Sequence, residues 1–279
     1  MIKNIIGGIA VGIANVIPGV SGGTMMVILG IFNRMTEAIS GVFKKENKQR
    51  KDDILFLFQV LIGAGIGLVG FAKVLEYLFN YFPTQTMYWF IGLIAFSIPL
   101  FLKGEMKGER VKFIPLIVGM LVIFLLEFFN PGKSGADVNP AFPDINLFFL
   151  LKMVFIGAIA GATMLMPGVS GSMVLLILGE YYLFKSYLAH VTSFQFSILI
   201  PLAFMGVGIL LGIVLSAKAC DFFLKHYKAG FLSFILGLII ASSVVLIPFG
   251  ANYNFLVIIT SIIALCFGGM IVFGLGKLQ

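Results

Sequence analysis

Two short stretches of the sequence combine hydroxyl side chains with a backbone that cannot stay helical: Pro18-Gly19-Val20-Ser21-Gly22-Gly23-Thr24 and Pro167-Gly168-Val169-Ser170-Gly171-Ser172. Proline lacks an amide donor and restricts the residue before it, and glycine has little helix propensity, so each stretch interrupts the helix leading into it. A helix restarting after the break opens with unpaired N–H groups, at Gly22, Gly23 and Thr24 in the first copy and at Gly171, Ser172 and Met173 in the second. Such ends carry partial positive charge and attract anions, phosphate above all. Ser21, Thr24, Ser170 and Ser172 add hydroxyls, and the glycines let a headgroup approach the backbone closely. Pro18, Gly19, Ser21, Gly22, Gly23, Thr24, Pro167, Gly168, Ser170, Gly171 and Ser172 are therefore the candidate substrate-binding residues. No lysine follows the glycines, so this is not a Walker-type phosphate loop. The competing reading is a kink with tight helix packing, and its occurrence at two equivalent places argues against that.

Charged residues inside apolar segments form a second candidate set. Lys73 with Glu76 and Lys218 with Asp221 are i,i+3 pairs. Charges there are costly and face a cavity or a partner, or snorkel to the interface. Lys73 and Lys218 join the binding candidates, with Glu76 and Asp221 in support. Arg34, just past the first break, and Asn15, a polar side chain three residues before Pro18, are also supporting residues. Glu127, late in an apolar span, is a place where a proton could bind. His190 and His226 have no metal partner in sequence, and Cys220 and Cys266 lack ligand spacing, so no metal, cofactor or disulfide framework is expected.

These residues must be held by membrane helices. The chain of 279 residues is 60% hydrophobic and 11% charged, with mean hydropathy +1.09, a composition that reads as an all-α polytopic membrane protein. The net charge of +7 lies in short loops between apolar runs, a topogenic pattern rather than a nucleic-acid footprint. No site for cleaving a signal peptide precedes Pro18. The arm Asn4–Ile17 reaches about 21 Å as a helix, short of a roughly 30 Å hydrocarbon core. Irregular backbone at that depth is tolerated only where protein or a wet cavity surrounds it.

The pattern then repeats. Gly157-x-x-x-Gly161 before Pro167 matches Gly8-x-x-x-Gly12 before Pro18 at an offset of 149, and Ala217-Lys218 matches Ala72-Lys73 at 145. The expected plan is a first repeat over 1–130, a linker over 131–146 and a second repeat over 147–279. The first holds a re-entrant hairpin at 4–34 and spans at 54–82, 86–102 and 113–129. The second holds a hairpin at 150–187 and spans at 196–217, 230–249 and 255–275. If neither hairpin crosses, the second half is inverted, and about 15 basic residues fall on one side against 4 on the other. If both cross, the split is only about 11 to 8. The first arrangement is expected, with six crossings, both termini cytoplasmic, and tips that meet near the midplane.

The paired Pro-Gly-Val-Ser-Gly-Gly-Thr and Pro-Gly-Val-Ser-Gly-Ser motifs resemble those of the polyprenyl-phosphate transporter family, over nearly the whole chain. The resemblance implies a bacterial inner-membrane protein that returns undecaprenyl phosphate, the lipid carrier of cell-wall sugars, to the cytoplasmic leaflet. It also implies that many relatives have Asp where this chain has Asn15. The expected partners are the polyprenyl phosphate lipid and the bilayer, with a homodimer allowed and no nucleic acid. An enzyme acting on lipid phosphate would need an activated nucleophile or a metal cluster, which these residue types do not offer. The alternative is a secondary transporter or channel for a small anion, which the tips alone do not separate from a lipid carrier.

Overall fold

The structure, a computed structural model, describes residues 2–16, 21–42, 44, 46–129, 142–190 and 194–276, without the side chains at 16, 68–69, 72–73, 75–76, 182, 185, 188–189 and 275–276. Every regular element among these residues is a helix. The first six are α1 (Ile2–Val16), α2 (Gly22–Ile28), α3 (Phe32–Val42), α4 (Arg50–Tyr81), α5 (Pro83–Lys103) and α6 (Phe113–Phe128). The next six are α7 (Leu147–Met164), α8 (Gly171–Ile177), α9 (Tyr181–Ala189), α10 (Phe196–His226), α11 (Lys228–Val245) and α12 (Phe255–Gly276). The order of a medium helix, two short ones, one very long one and two more thus occurs twice. Between α2 and α3 the chain bends by 117°.

Among the described residues five helices are long and apolar enough to cross a membrane: α5, α7, α10, α11 and the 255–274 stretch of α12. The bent pair α2 and α3 would qualify together, and α1 and α6 are shorter apolar helices. The sequence treats α7 as one arm of a hairpin, yet its 18 residues have the length of a span by themselves. The α10 helix runs nine residues beyond the expected end at 217. The polar run from Lys218 reads as a boundary in sequence, but it continues the helix and so carries Asp221 and Lys225 on α10.

Close packing between helices rests on glycine. A Cβ at Gly8 or Gly12 on α1 would stand 2.3 or 2.1 Å from the carbonyl oxygens of Val60 and Ala64 on α4. Gly157 and Gly161 on α7 meet Met205 and Ile209 on α10 in the same way. Gly92 on α5 meets Leu265 on α12, and Gly119 on α6 meets Phe234 on α11. Within each pair the contact positions advance together, so all four pairs run parallel. Lipid supplies no hydrophobic drive between helices, so backbone approach at small residues does this work. The pairs α5 with α12 and α6 with α11 also cross between the two halves.

The central core joins Phe32 of α3, Ile28 of α2, Phe90 and Ile94 of α5, and Leu232, Ile235 and Ile239 of α11. Outward faces stay apolar: Phe128, Phe148, Phe196 and Phe255 are each about 80% exposed, as a lipid-facing surface requires. The basic segments gather at one end of the molecule. Lys44 bonds Asp221 at 3.0 Å, Lys228 lies 3.7 Å from Glu109, and the Lys112 amide donates to Ser233 Oγ at 2.8 Å. The α4 helix starts at that end, whereas α10 finishes there.

Candidate functional site

The two breaks touch each other. Ser21 caps α2, its hydroxyl accepting from the Gly23 amide at 3.1 Å and donating to the Met166 carbonyl at 2.9 Å. Thr24 Oγ1 accepts the Gly168 amide at 2.7 Å. Both side chains are buried, at 2% and 1% exposure. Gly23 seats against the opposite turn so closely that a Cβ there would stand 2.6 Å from the Leu165 carbonyl oxygen. Gly22 packs on Asn15, whose side-chain amide would lie 2.8 Å from an added Cβ. Gly168 has φ +79°, a left-handed turn that a side chain would strain. Pro167 is buried in that turn. Pro18 and Gly19 lie outside the described residues.

The equivalence read in the sequence does not extend to the hydroxyls. Ser170 stands at the cap position of α8, but its side chain caps nothing. It pairs instead with Ser172 Oγ at 2.8 Å, on exposed surface. These two serines line two cavities. One, of about 220 Å³, is walled by Asn15, Ser21, Met164, Tyr181 and Phe184 from α1, the first turn, α7 and α9. The other, of about 260 Å³, is walled by Met87, Ile123, Glu127, Ser242 and Leu246 from α5, α6 and α11. Ser170 and Ser172 are the residues common to both. Hydroxyls can donate to an anion or accept from a protonated partner, so this pair offers the same donors to both cavities.

The charged candidates lie elsewhere. Asp221 is buried on α10, with its oxygens 2.7 Å from Lys225 Nζ and 3.0 Å from Lys44 Nζ. Lys44 reaches it from the loop before α4, across 177 positions of sequence. Lys218 is exposed on α10. Arg34 binds Asp53 at 2.6 Å and lies 5.1 Å above the Phe56 ring, at the basic end. Together with Glu37, Lys44 and Lys225 it lines a polar cavity of about 580 Å³ there. The side chains of Lys73 and Glu76 lie outside the described ones. Near the same end, burial pushes the Glu105 carboxyl from 4.5 up to about 6, Lys228 working against this and Glu37 with it. Asn33 Nδ2 donates to that carboxyl.

Sequence reasoning missed Ser242 and Tyr181 as neighbours of the serine pair, and Lys44 as the partner of Asp221. None of them carries a local signal, since a serine in a helix and a lysine in a basic loop are commonplace. Glu127 did carry one, as an acid in an otherwise apolar helix.

A family model described as VCA0040-like, undecaprenyl phosphate translocase-like, matches residues 11–274. A Staphylococcus aureus protein named polyprenyl-phosphate transporter is 28% identical over 226 residues, which are 80% of this chain and 78% of that one. A Vibrio cholerae protein of the same name is 27% identical over 188 residues, 67% of this chain and 55% of its own length. No solved structure matches the chain.

Proposed function

The chain belongs to the undecaprenyl phosphate translocase-like family, and from that premise we propose that it carries a polyprenyl phosphate between the leaflets of the bacterial cytoplasmic membrane. The observation that carries this reading is the Ser170–Ser172 pair, shared by two cavities, one walled by α1, α7 and α9 and the other by α5, α6 and α11, with α8 between them. The phosphate headgroup binds these hydroxyls while the isoprenoid tail stays in lipid. Each hydroxyl bonded to a charged oxygen contributes about 1.5–3 kcal/mol. Neutral donors hold an anion without the grip of a fixed cation, so release stays fast. The first break serves as the support against which the second is set, through Ser21, Gly23 and Thr24.

The order of elements and the opposed directions of α4 and α10 support an inverted repeat, with 1–130 and 147–279 as its halves. On this reading α1 with α2 and α7 with α8 are re-entrant hairpins. The basic end is cytoplasmic and holds both termini, and the lipid moves inward for re-use as a carrier. Rocking one half against the other would expose the shared tips to each face in turn.

Vesicle reconstitution tests the function. Full-length protein is expected to speed leaflet exchange of a short-chain polyprenyl phosphate and not of the corresponding neutral alcohol. Equal acceleration of both would overturn the reading in favour of scrambling, and flux of inorganic phosphate with no acceleration of either lipid would overturn it in favour of small-anion transport.

A further inference from the structure

Asn15 stands three residues before Pro18, and Met164 three residues before Pro167. The fold turns these two equivalent positions into one space, since both side chains line the cavity of about 220 Å³ that holds Ser170 and Ser172. That cavity therefore has a polar wall from the first half, and an apolar one from the second, where Met164 is joined by Leu175 and Phe184. Ser21 also lines it, but its hydroxyl is spent on the Gly23 amide and the Met166 carbonyl. Asn15 differs. It lies at the end of α1 with its side chain exposed, and among the described residues its carboxamide has no hydrogen-bond partner. Polar side chains in membrane helices bond a neighbouring helix or face a wet cavity. A carboxamide brings two N–H donors and no charge.

The position of this group is fixed from behind. A Cβ added at Gly22 would stand 2.8 Å from both Nδ2 and Oδ1 of Asn15 and 3.1 Å from its Cγ. The flat amide thus lies against the bare Cα of Gly22. In the second half the same arrangement is looser, with Met164 Cγ 3.5 Å from a Cβ at Gly171. The sequence reads Gly22 as room for a headgroup to approach the backbone, whereas the fold uses that room to seat Asn15. We propose that Asn15 is a third donor to the headgroup: its amide N–H binds one phosphate oxygen while Ser170 and Ser172 bind others, so that a single phosphate is held across the two halves. This rests on the reading of the serine pair as the headgroup site. Met164 and Phe184, on the apolar wall, take the first isoprene unit. Movement of one half against the other draws Asn15 away from the serines and lets the phosphate go.

The full chain in lipid nanodiscs, titrated with farnesyl phosphate and in parallel with farnesol, tests this. Losing one hydrogen bond to a charged oxygen should make Asn15→Ala bind farnesyl phosphate about tenfold more weakly. Its affinity for farnesol, which has no phosphate, and its melting temperature should match those of the wild type, because the amide bonds nothing in the protein. Asn15→Leu, similar in size and without donors, should behave alike and covers the case in which the truncated variant does not fold. Gly22→Ala should weaken farnesyl phosphate binding in the wild type by displacing the amide, and add little in the Asn15→Ala background, since two residues acting through one contact are not additive. Undiminished farnesyl phosphate binding by Asn15→Ala and Asn15→Leu, or an equal loss for farnesyl phosphate and farnesol, would overturn the role of Asn15 while leaving the serine site intact. Full additivity of Gly22→Ala and Asn15→Ala would overturn the seating of the amide on Gly22. Absence of wild-type binding, or undiminished binding by a Ser170→Ala, Ser172→Ala double variant, would overturn the site reading and this proposal with it.

Discussion

Ser21 and Ser170 occupy equivalent places in two copies of one motif, and the structure gives them different work. The Ser21 hydroxyl is fully used, capping α2 and tying it to the Met166 carbonyl. Ser170 caps nothing and faces a cavity on either side. Ser21→Ala should therefore lower stability by about 1–3 kcal/mol, the range for losing a cap and stranding a buried acceptor. Ser170→Ala should leave the melting temperature in detergent unchanged. Equal destabilisation by the two substitutions would contradict this division. Glu105 gives a pH prediction at the same scale. Its carboxyl is raised to about 6 by burial, so the neutral form suits the fold. That contribution is complete below its ordinary value of 4.5 and fades as pH rises through about 6. The wild type should lose thermal stability relative to Glu105→Gln between pH 5 and 7, as followed by fluorescence-detected unfolding. The two melting curves moving together would refute it. The sequence showed both motifs, but not which hydroxyls were consumed, because Met166 and Gly168 act through backbone groups that any residue would supply.

At the scale of elements, the legible features were those repeated along the chain. Gly8-x-x-x-Gly12 and Gly157-x-x-x-Gly161 mark the seams of α1 with α4 and of α7 with α10. Their partners were hidden, since a glycine stripe does not say which backbone fills it. Helix ends were read least well where polarity misled, as in α10, which continues through Lys218 to His226. Two neighbouring glycines on α10 separate packing from propensity. A Cβ at Gly208 would stand 2.1 Å from the Val154 carbonyl oxygen, whereas one at Gly206 meets nothing within 4 Å. Gly208→Leu should destabilise the protein by about 1–3 kcal/mol or more through overpacking. Gly206→Leu should be neutral or mildly stabilising, as helix propensity favours leucine. Comparable losses in a thermal-shift assay would show that the seam is not packed as described.

At the scale of the whole molecule, charge and direction were partly legible. The basic loops distributed along the sequence come together at one end, where Asp221 on α10 binds Lys44 from the loop before α4. That ion pair spans the two halves, and no local pattern announces it. Single cysteines at Lys48 and Lys107, placed in those loops, should be labelled from the same side of the membrane in whole cells and inverted vesicles. Opposite labelling would break the proposed topology. The claim on which the functional account turns is that the Ser170 and Ser172 hydroxyls hold the headgroup. Its most direct test is the leaflet-exchange rate of a short-chain polyprenyl phosphate in vesicles containing the Ser170→Ala, Ser172→Ala double variant. Loss of two charge-assisted hydrogen bonds, at about 1.5 kcal/mol or more each, predicts a fall in apparent affinity of roughly a hundredfold with the fold intact. Wild-type exchange by a well-folded double variant would contradict the account.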